Sequence, residues 1–295
     1  MKILEIFILA MLWGPSFLFT KIAVLDLEPI SLVTLRVTIG CLLLFIVLRF
    51  RKLKLPHRKD LWFHAFILSF FVHAIPFSCF GYALKYIPSS LAALINGTTP
   101  IMTVLLAHYW LDDEKFTRKK ILGISLGLSA FLILFLPQLV LKKSESPLHV
   151  WGVSLAFFAS SLYAVGMVYA RKFVHQSPPL AIPIMQLFSS LFYLLPVALL
   201  FEHTWQKTTD IQLESWLSVL GLGLFGTALA YTMYYSIIAK YGATALSSVT
   251  YLLPILGACW GVFVLDETLD FRFYSAAALI LTGVFLVNSN KKTKD

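Results

Sequence analysis

Ten stretches of the chain are apolar over the length that a helix needs to cross a bilayer, and only short breaks separate them. They cover residues 3–23, 30–48, 62–84, 89–111, 120–140, 150–170, 180–201, 216–238, 243–265 and 272–289. A helix requires about 20 mostly apolar residues to span the hydrocarbon core. The breaks carry turn signals, among them Asp26-Leu27-Glu28-Pro29, Ser144-Glu145-Ser146-Pro147 and Ser177-Pro178-Pro179. The longest polar stretches, 49–61 and 202–215, are connectors too short to hold a soluble domain. Only 13% of the residues are charged, against about 25% in a soluble domain, so the solvent of this surface is largely lipid. An all-α integral membrane protein of ten transmembrane helices is therefore expected.

The first run has the length of a full span, no A-x-A-like cleavage site, and Lys21 at its end. It is expected to stay as an uncleaved span rather than to act as a signal peptide. With the N-terminus inside, the inner segments hold 17 Lys and Arg residues and the outer loops 6. Basic loops stay cytoplasmic, so both termini are expected in the cytoplasm of a multi-pass cell-membrane protein. The net charge of +9 is explained by this orientation, and no nucleic-acid partner is implied. Cys41, Cys79 and Cys259 lie singly in apolar runs without CxxC spacing, which implies no disulfide framework, metal or cofactor.

The chain also repeats. An offset of about 150 residues matches Trp13-Gly14 to Tyr163-Ala164, Lys21 to Arg171, Pro29 to Pro179 and Arg36 to Gln186. It then drifts to 153–155, matching Lys85-Tyr86 to Lys240-Tyr241, Pro100 to Pro254 and Asp113-Glu114 to Asp266-Glu267. Each half, 1–142 and 143–295, then holds five spans. Five is odd, so the second copy enters the membrane upside down. Two inverted five-helix repeats suit alternating access, in which the halves exchange conformations around one site.

Trp13-Gly14-Pro15-Ser16-Phe17 with Lys21, Arg36 in the second span, and Pro100 followed by Glu114 and Gly123 resemble the EamA repeat of the drug/metabolite transporter superfamily. Pro254, Glu267 and Gly283 look like a second copy, without the Trp-Gly pair and the Arg. The resemblance implies a five-plus-five carrier whose central cavity is lined mainly by the first, third, fourth, sixth, eighth and ninth spans. Members of that superfamily move amino acids, drugs, sugars, nucleotide sugars or phosphorylated metabolites, so substrate does not follow from membership.

Polar groups at membrane depth are costly and mark function or pairing. Arg36 lies about six residues, roughly 9 Å, inside the outer end of its span. It either snorkels outward or attracts an anionic group of the substrate. No Asp or Glu occupies the interior of any span, which tilts the substrate toward neutral, zwitterionic or anionic. His73, three residues before Pro76, is a candidate for coupling transport to a proton, against a simple hydrogen bond to a neighbouring helix. Pro100 and Pro254 free the carbonyls of Asn96 and Thr250 near the midplane and are candidate helix breaks or hinges. The aromatic rings Trp13, Tyr82, Tyr163, Tyr231 and Tyr251, with Asn96, complete the candidate substrate-binding set. Glu114 and Glu267 are read as caps for the helix that follows each, or as partners of nearby basic residues.

These readings converge on a secondary transporter for a small metabolite, an amino acid or a similar zwitterionic or anionic solute, with export as one direction. Its partners are the bilayer, the small-molecule substrate, and a coupling proton or counter-substrate. A channel or receptor-like membrane protein and a multidrug exporter are the alternatives. No clustered catalytic group appears, so no enzyme activity is expected.

Overall fold

The computed structural model describes residues 2–112, 115–140, 147–174, 180–206, 210–234, 236–237, 240 and 249–288, and at residues 2, 135–140, 206, 250 and 251 the backbone alone. Among these residues all regular structure is helical. The helices are α1 (Ile3–Ala23), α2 (Pro29–Phe50), α3 (Lys59–Leu84), α4 (Ser89–Trp110), α5 (Arg118–Val140), α6 (Pro147–Phe173), α7 (Ala181–Phe201), α8 (Leu213–Tyr234), α9 (Val249–Leu265) and α10 (Phe271–Asn288). Eight of them are long and apolar enough to cross a membrane. The other two are α5, which opens on Arg118-Lys119-Lys120, and α9, which contributes the shorter apolar helix Leu252–Leu265. Large apolar side chains such as Phe50, Phe192, Phe263 and Phe271 are exposed on the outside of the bundle, as expected of a lipid-facing surface. This is an integral membrane protein.

Helix pairing follows the internal repeat. α2 packs on α7, α4 on α9 and α5 on α10, each helix against its own counterpart. α1 packs on α8 and α3 on α6, two contacts that exchange when the halves are exchanged. Close approach at the self-paired crossings requires residues without a side chain. A Cβ on Gly123 of α5 would lie 2.7 Å from the carbonyl oxygen of Gly283 on α10, and one on Gly97 of α4 would lie 2.8 Å from Cγ of Pro254 on α9. With no hydrophobic drive between helices in lipid, such close contacts supply the dispersion that holds them together.

Four helices depart from regular geometry, and each departure has a local cause. α1 turns at Gly14-Pro15, between Lys2–Trp13 and Ser16–Ala23. α4 breaks at Gly97-Thr98 because Pro100 has no N–H to continue the ladder. Near the break the Ile95 carbonyl is satisfied by the hydroxyls of Thr98 at 2.7 Å and Ser160 at 3.4 Å. Pro254, matched to Pro100, sits instead inside the continuous helix Val249–Leu265, so the expected break at that position is absent and its ring serves as a packing surface for Gly97. α3 and α8 each contain a π-helical turn, Phe70–Ala74 and Leu224–Leu229. These turns fall at the same place in the repeat, 154 residues apart like the two prolines. The first precedes Pro76. In the second the Thr227 hydroxyl donates back to the Leu222 carbonyl at 2.9 Å, filling an acceptor that the widened turn leaves open.

Carboxylates tie the two halves together at the end of the bundle where Lys21, Pro29 and Ser89 lie. Glu202, after α7, accepts from the N–H groups of Ile30 at 2.9 Å and Ser31 at 2.5 Å at the start of α2. Glu267, after α9, accepts from Ser89 at 2.6 Å and Ser90 at 2.9 Å at the start of α4. Asp26 accepts from the Gln212 N–H at 3.1 Å and the Ser215 hydroxyl at 2.7 Å at the start of α8. Each satisfies orphan N–H groups and opposes the positive end of a helix dipole. Glu267 thus caps a helix of the other half and not the one that follows it. Glu114 lies outside the described residues. At the opposite end Lys240 bridges to Glu5 at 3.0 Å.

Candidate functional site

Both π turns contribute to one cluster of polar and aromatic residues in the bundle interior. A π turn adds a residue to the helix without a break, re-aims the side chains around it and leaves backbone acceptors underused, and such turns recur at functional sites. From the first turn comes His73, fully buried, whose Nε2 lies 2.7 Å from the Tyr231 hydroxyl of α8. From the second come Thr227, the repeat counterpart of His73, and the Gly226 carbonyl, which accepts the Trp13 indole N–H at 3.2 Å.

Arg36 of α2 enters between these turns. Its Nε donates to the Thr227 hydroxyl at 3.2 Å, and its guanidinium carbon lies 3.9 Å from the centre of the Phe77 ring. Phe77 is the repeat counterpart of Tyr231. Trp13 meets Tyr231 at 6.5 Å and Tyr234 at 5.8 Å between ring centres, while Tyr163 stands 6.4 Å from Phe77 and 6.0 Å from Phe80. A cation on an aromatic face gains about 0.5–2 kcal/mol and one neutral hydrogen bond about 1 kcal/mol. Neither repays the desolvation of a guanidinium, which costs several kcal/mol. Among the described residues neither Nη group has a hydrogen-bond acceptor and no carboxylate reaches the cluster.

The structure therefore brings together Trp13, Arg36, His73, Tyr163 and Tyr231 from the predicted set. Arg36 points inward and does not snorkel. Tyr82 stands apart: its hydroxyl donates to Glu202 at 3.3 Å at the capped end of α2, because five residues, about 7.5 Å of helix, separate it from the level of Phe77 and carry it toward the surface. Asn96 sits half-buried at the α4 break, where its Oδ1 accepts from the Thr99 hydroxyl at 3.4 Å. Tyr251 belongs to α9, but its side chain is outside the described residues, as are Ala243, Ala245, Ser247 and Ser248. Thr227, Phe77, Phe80 and Tyr234 were not anticipated. The 154-residue offset could have found two of them, since it maps His73 to Thr227 and Phe77 to Tyr231.

Two clefts lie elsewhere. One of about 420 Å³ is lined by Lys21, Tyr86, Pro88 and Glu267 beside the capped helix ends, and one of about 300 Å³ between α4, α9 and α10 is wholly apolar. Lys21 is engaged in the first, donating to the carbonyls of Leu84 at 2.6 Å and Ile87 at 3.1 Å. The charged groups of the first cleft, Lys21 and Glu267, are both engaged by backbone groups at the helix ends, and the second cleft offers no polar group.

The model of the EamA-like transporter family matches residues 1–136 and again residues 150–289. The chain belongs to that family. It is a membrane transporter built from two EamA repeats. Among its relatives, the chain is 25% identical over 288 residues to a protein of Salmonella typhimurium named as a probable amino-acid metabolite efflux pump, covering 95% of this chain and 92% of the relative. A protein of the same name from Escherichia coli is 23% identical with the same coverage. The uncharacterized transporter YvbV of Bacillus subtilis is 24% identical over 294 residues, covering 97% of this chain and 91% of its own. A solved crystal structure superposes with a TM-score of 0.68 at 23% identity, covering 96% of this chain and 94% of its own, and bears on the fold alone.

Proposed function

We propose that this EamA transporter is a ten-span secondary carrier of the cytoplasmic membrane with both termini inside. It moves a small carboxylate-bearing metabolite, an amino acid or a similar zwitterionic or anionic solute, by alternating access. Residues 1–142 and 143–295 are its two inverted five-helix repeats, and α5 and α9 supply the remaining two crossings. The observation that carries the substrate class is the buried Arg36 guanidinium, with two unengaged Nη groups, an aromatic surround and no carboxylate. A substrate carboxylate completes it as a bidentate pair, the geometry that guanidinium recognises best. Trp13, Tyr163 and Tyr231 then receive the apolar part of the solute. The same charge disfavours organic cations and so counts against a multidrug exporter of cationic drugs. The names of the Salmonella and Escherichia relatives agree with amino-acid-like cargo and with export.

The α4 break at Gly97-Thr98, packed on Pro254 and half-lined by Asn96, supplies a hinge beside the site. Carboxylate caps at Glu202, Glu267 and Asp26 join the two halves at the end that faces outward on this reading. The test is counterflow in proteoliposomes. Labelled phenylalanine and phenylpyruvate should accumulate transiently against the same unlabelled solute, with saturation, and Arg36→Gln should abolish the accumulation. Open-pore conductance without saturation would identify a channel instead.

A further inference from the structure

His73 has a feature that substrate binding by Arg36 does not explain. It is fully buried, and one ring nitrogen is committed to Tyr231 while the other, Nδ1, has no hydrogen-bond partner. A buried unpaired polar atom is costly, and a histidine needed only to join two helices would be served as well by an amide. Phe77 stands between His73 and Arg36, edge-on to the imidazole at 5.4 Å and beneath the guanidinium at 3.9 Å. The imidazole and the fixed positive charge of Arg36 therefore pack on the same aromatic ring.

The other elements packed on the His73 turn are α6 and α7. From α6 comes the Tyr163 phenol, beyond Phe77. From α7 comes Tyr193, which is turned away to donate to the Phe66 carbonyl at 2.8 Å. Tyr231 of α8 makes the hydrogen bond itself. Phenols are neutral near pH 7, and Asp60 and Glu214 are the acidic residues of α3 and α8, both at helix ends; α2, α6 and α7 contain none. Arg36 is thus the one fixed charge facing His73 among the described residues.

We propose that His73 is a proton-binding site whose occupancy is tied to that of Arg36, so that one proton travels with each substrate carboxylate. This rests on the reading of Arg36 as the carboxylate site. With Arg36 bare, a second positive charge on the far side of Phe77 is repelled. A carboxylate on the guanidinium cancels its charge, and Nδ1 then takes a proton from water at the open side while Nε2 keeps its bond to Tyr231. Linkage is reciprocal, so a protonated His73 strengthens carboxylate binding by the factor with which the carboxylate favours the proton. The loaded carrier holds one carboxylate and one proton above the charge of the empty one. For a simple anion the crossing is electroneutral. A zwitterion brings its own ammonium and weakens the coupling.

The test uses the full chain in detergent micelles and isothermal titration with phenylpyruvate, over about pH 5 to 8 where histidine ordinarily titrates. Buffers of different ionisation enthalpy give the protons taken up per anion bound. Wild type should take up close to one proton per phenylpyruvate, with affinity strengthening by up to about tenfold per pH unit of acidification within the titration window. Phenylalanine should show a shallower slope. His73→Gln should bind phenylpyruvate without proton uptake and with flat affinity. Wild-type binding without proton uptake, or uptake retained in His73→Gln, overturns the proposal and leaves the Arg36 reading standing. Folded wild type that binds neither solute at any pH overturns both. The wild-type measurement decides by itself if His73→Gln does not fold.

Discussion

Replacing Arg36 by leucine separates a binding role from a structural one, because the two predict opposite changes in stability. In the folded protein the guanidinium has one hydrogen bond to Thr227 and one contact with the Phe77 ring, worth together about 1.5–3 kcal/mol. Removing it leaves no orphan, since the Thr227 hydroxyl keeps its bond to the Leu222 carbonyl. What leucine removes is the desolvation of an unpaired cation, and replacement of poorly compensated buried charge is neutral or stabilising by about 1–4 kcal/mol. The variant should therefore melt at the wild-type temperature or above it in detergent. Binding should move the other way. Two charge-assisted hydrogen bonds from the Nη groups, at about 1.5–3 kcal/mol each, amount to at least about 3 kcal/mol, or roughly a hundredfold in Kd. The assays are thermal unfolding and titration with phenylpyruvate on the same preparation. A variant that is destabilised by several kcal/mol and still binds would assign Arg36 to packing and refute the reasoning.

Gly97→Ala places a Cβ 2.8 Å from Pro254 Cγ and 2.9 Å from the Leu94 carbonyl; overpacking of this kind costs about 1–3 kcal/mol, so melting should fall and counterflow slow at the α4 hinge, whereas an unchanged rate would remove Gly97 from the moving parts. Glu267→Gln keeps an acceptor for only one of the Ser89 and Ser90 N–H groups, turns its NH2 toward the other and loses the charge facing the helix dipole, a loss of about 1–3 kcal/mol, read as lower thermal stability and as greater labelling of a cysteine placed at Ser89 from the outside. Reporter fusions at Lys52 and Lys292 should both report cytoplasm; an external signal at either contradicts the even number of crossings.

The helical membrane fold was legible because its strongest signal is physical and local: apolar length identifies membrane helices. The pairing of α2 with α7, α4 with α9 and α5 with α10 was implicit in the repeat. The site was legible where rarity marks cost. An arginine and a histidine inside apolar spans stand out, and both lie in the cluster. Aromatic identity discriminated poorly, since Tyr82 and Tyr231 look alike in sequence while one bonds a surface cap and the other bonds His73. The π turns have no sequence signal of comparable strength. Pro76 accompanies one, but the other follows Gly223 and depends on a threonine hydroxyl and a tryptophan indole that arrive from tertiary structure. Pro254 misled for the same reason: a proline inside a helix frees a carbonyl, and whether the helix then breaks is decided by its neighbours.

The repeat makes the scaffold symmetric, yet both basic residues of the central cluster, Arg36 and His73, belong to the first half. Gln186 stands where the first half has Arg36, Thr227 where it has His73, and Ala164 where it has Gly14 of the Trp-Gly pair. Symmetry of the backbone is what alternating access needs, because the two end states must be nearly equal in energy for the cycle to turn over. Symmetry of the side chains would defeat binding. A second arginine would add another unpaired cation to the bundle interior, and a single carboxylate could neutralise only one of the two. On the proposed carboxylate reading, divergence of the halves at the offset positions of Arg36 and His73 is what leaves one anion-binding site at the centre of a two-fold fold. A second arginine introduced at Gln186 should raise the affinity for a dicarboxylate, lower it for a monocarboxylate and destabilise the empty protein.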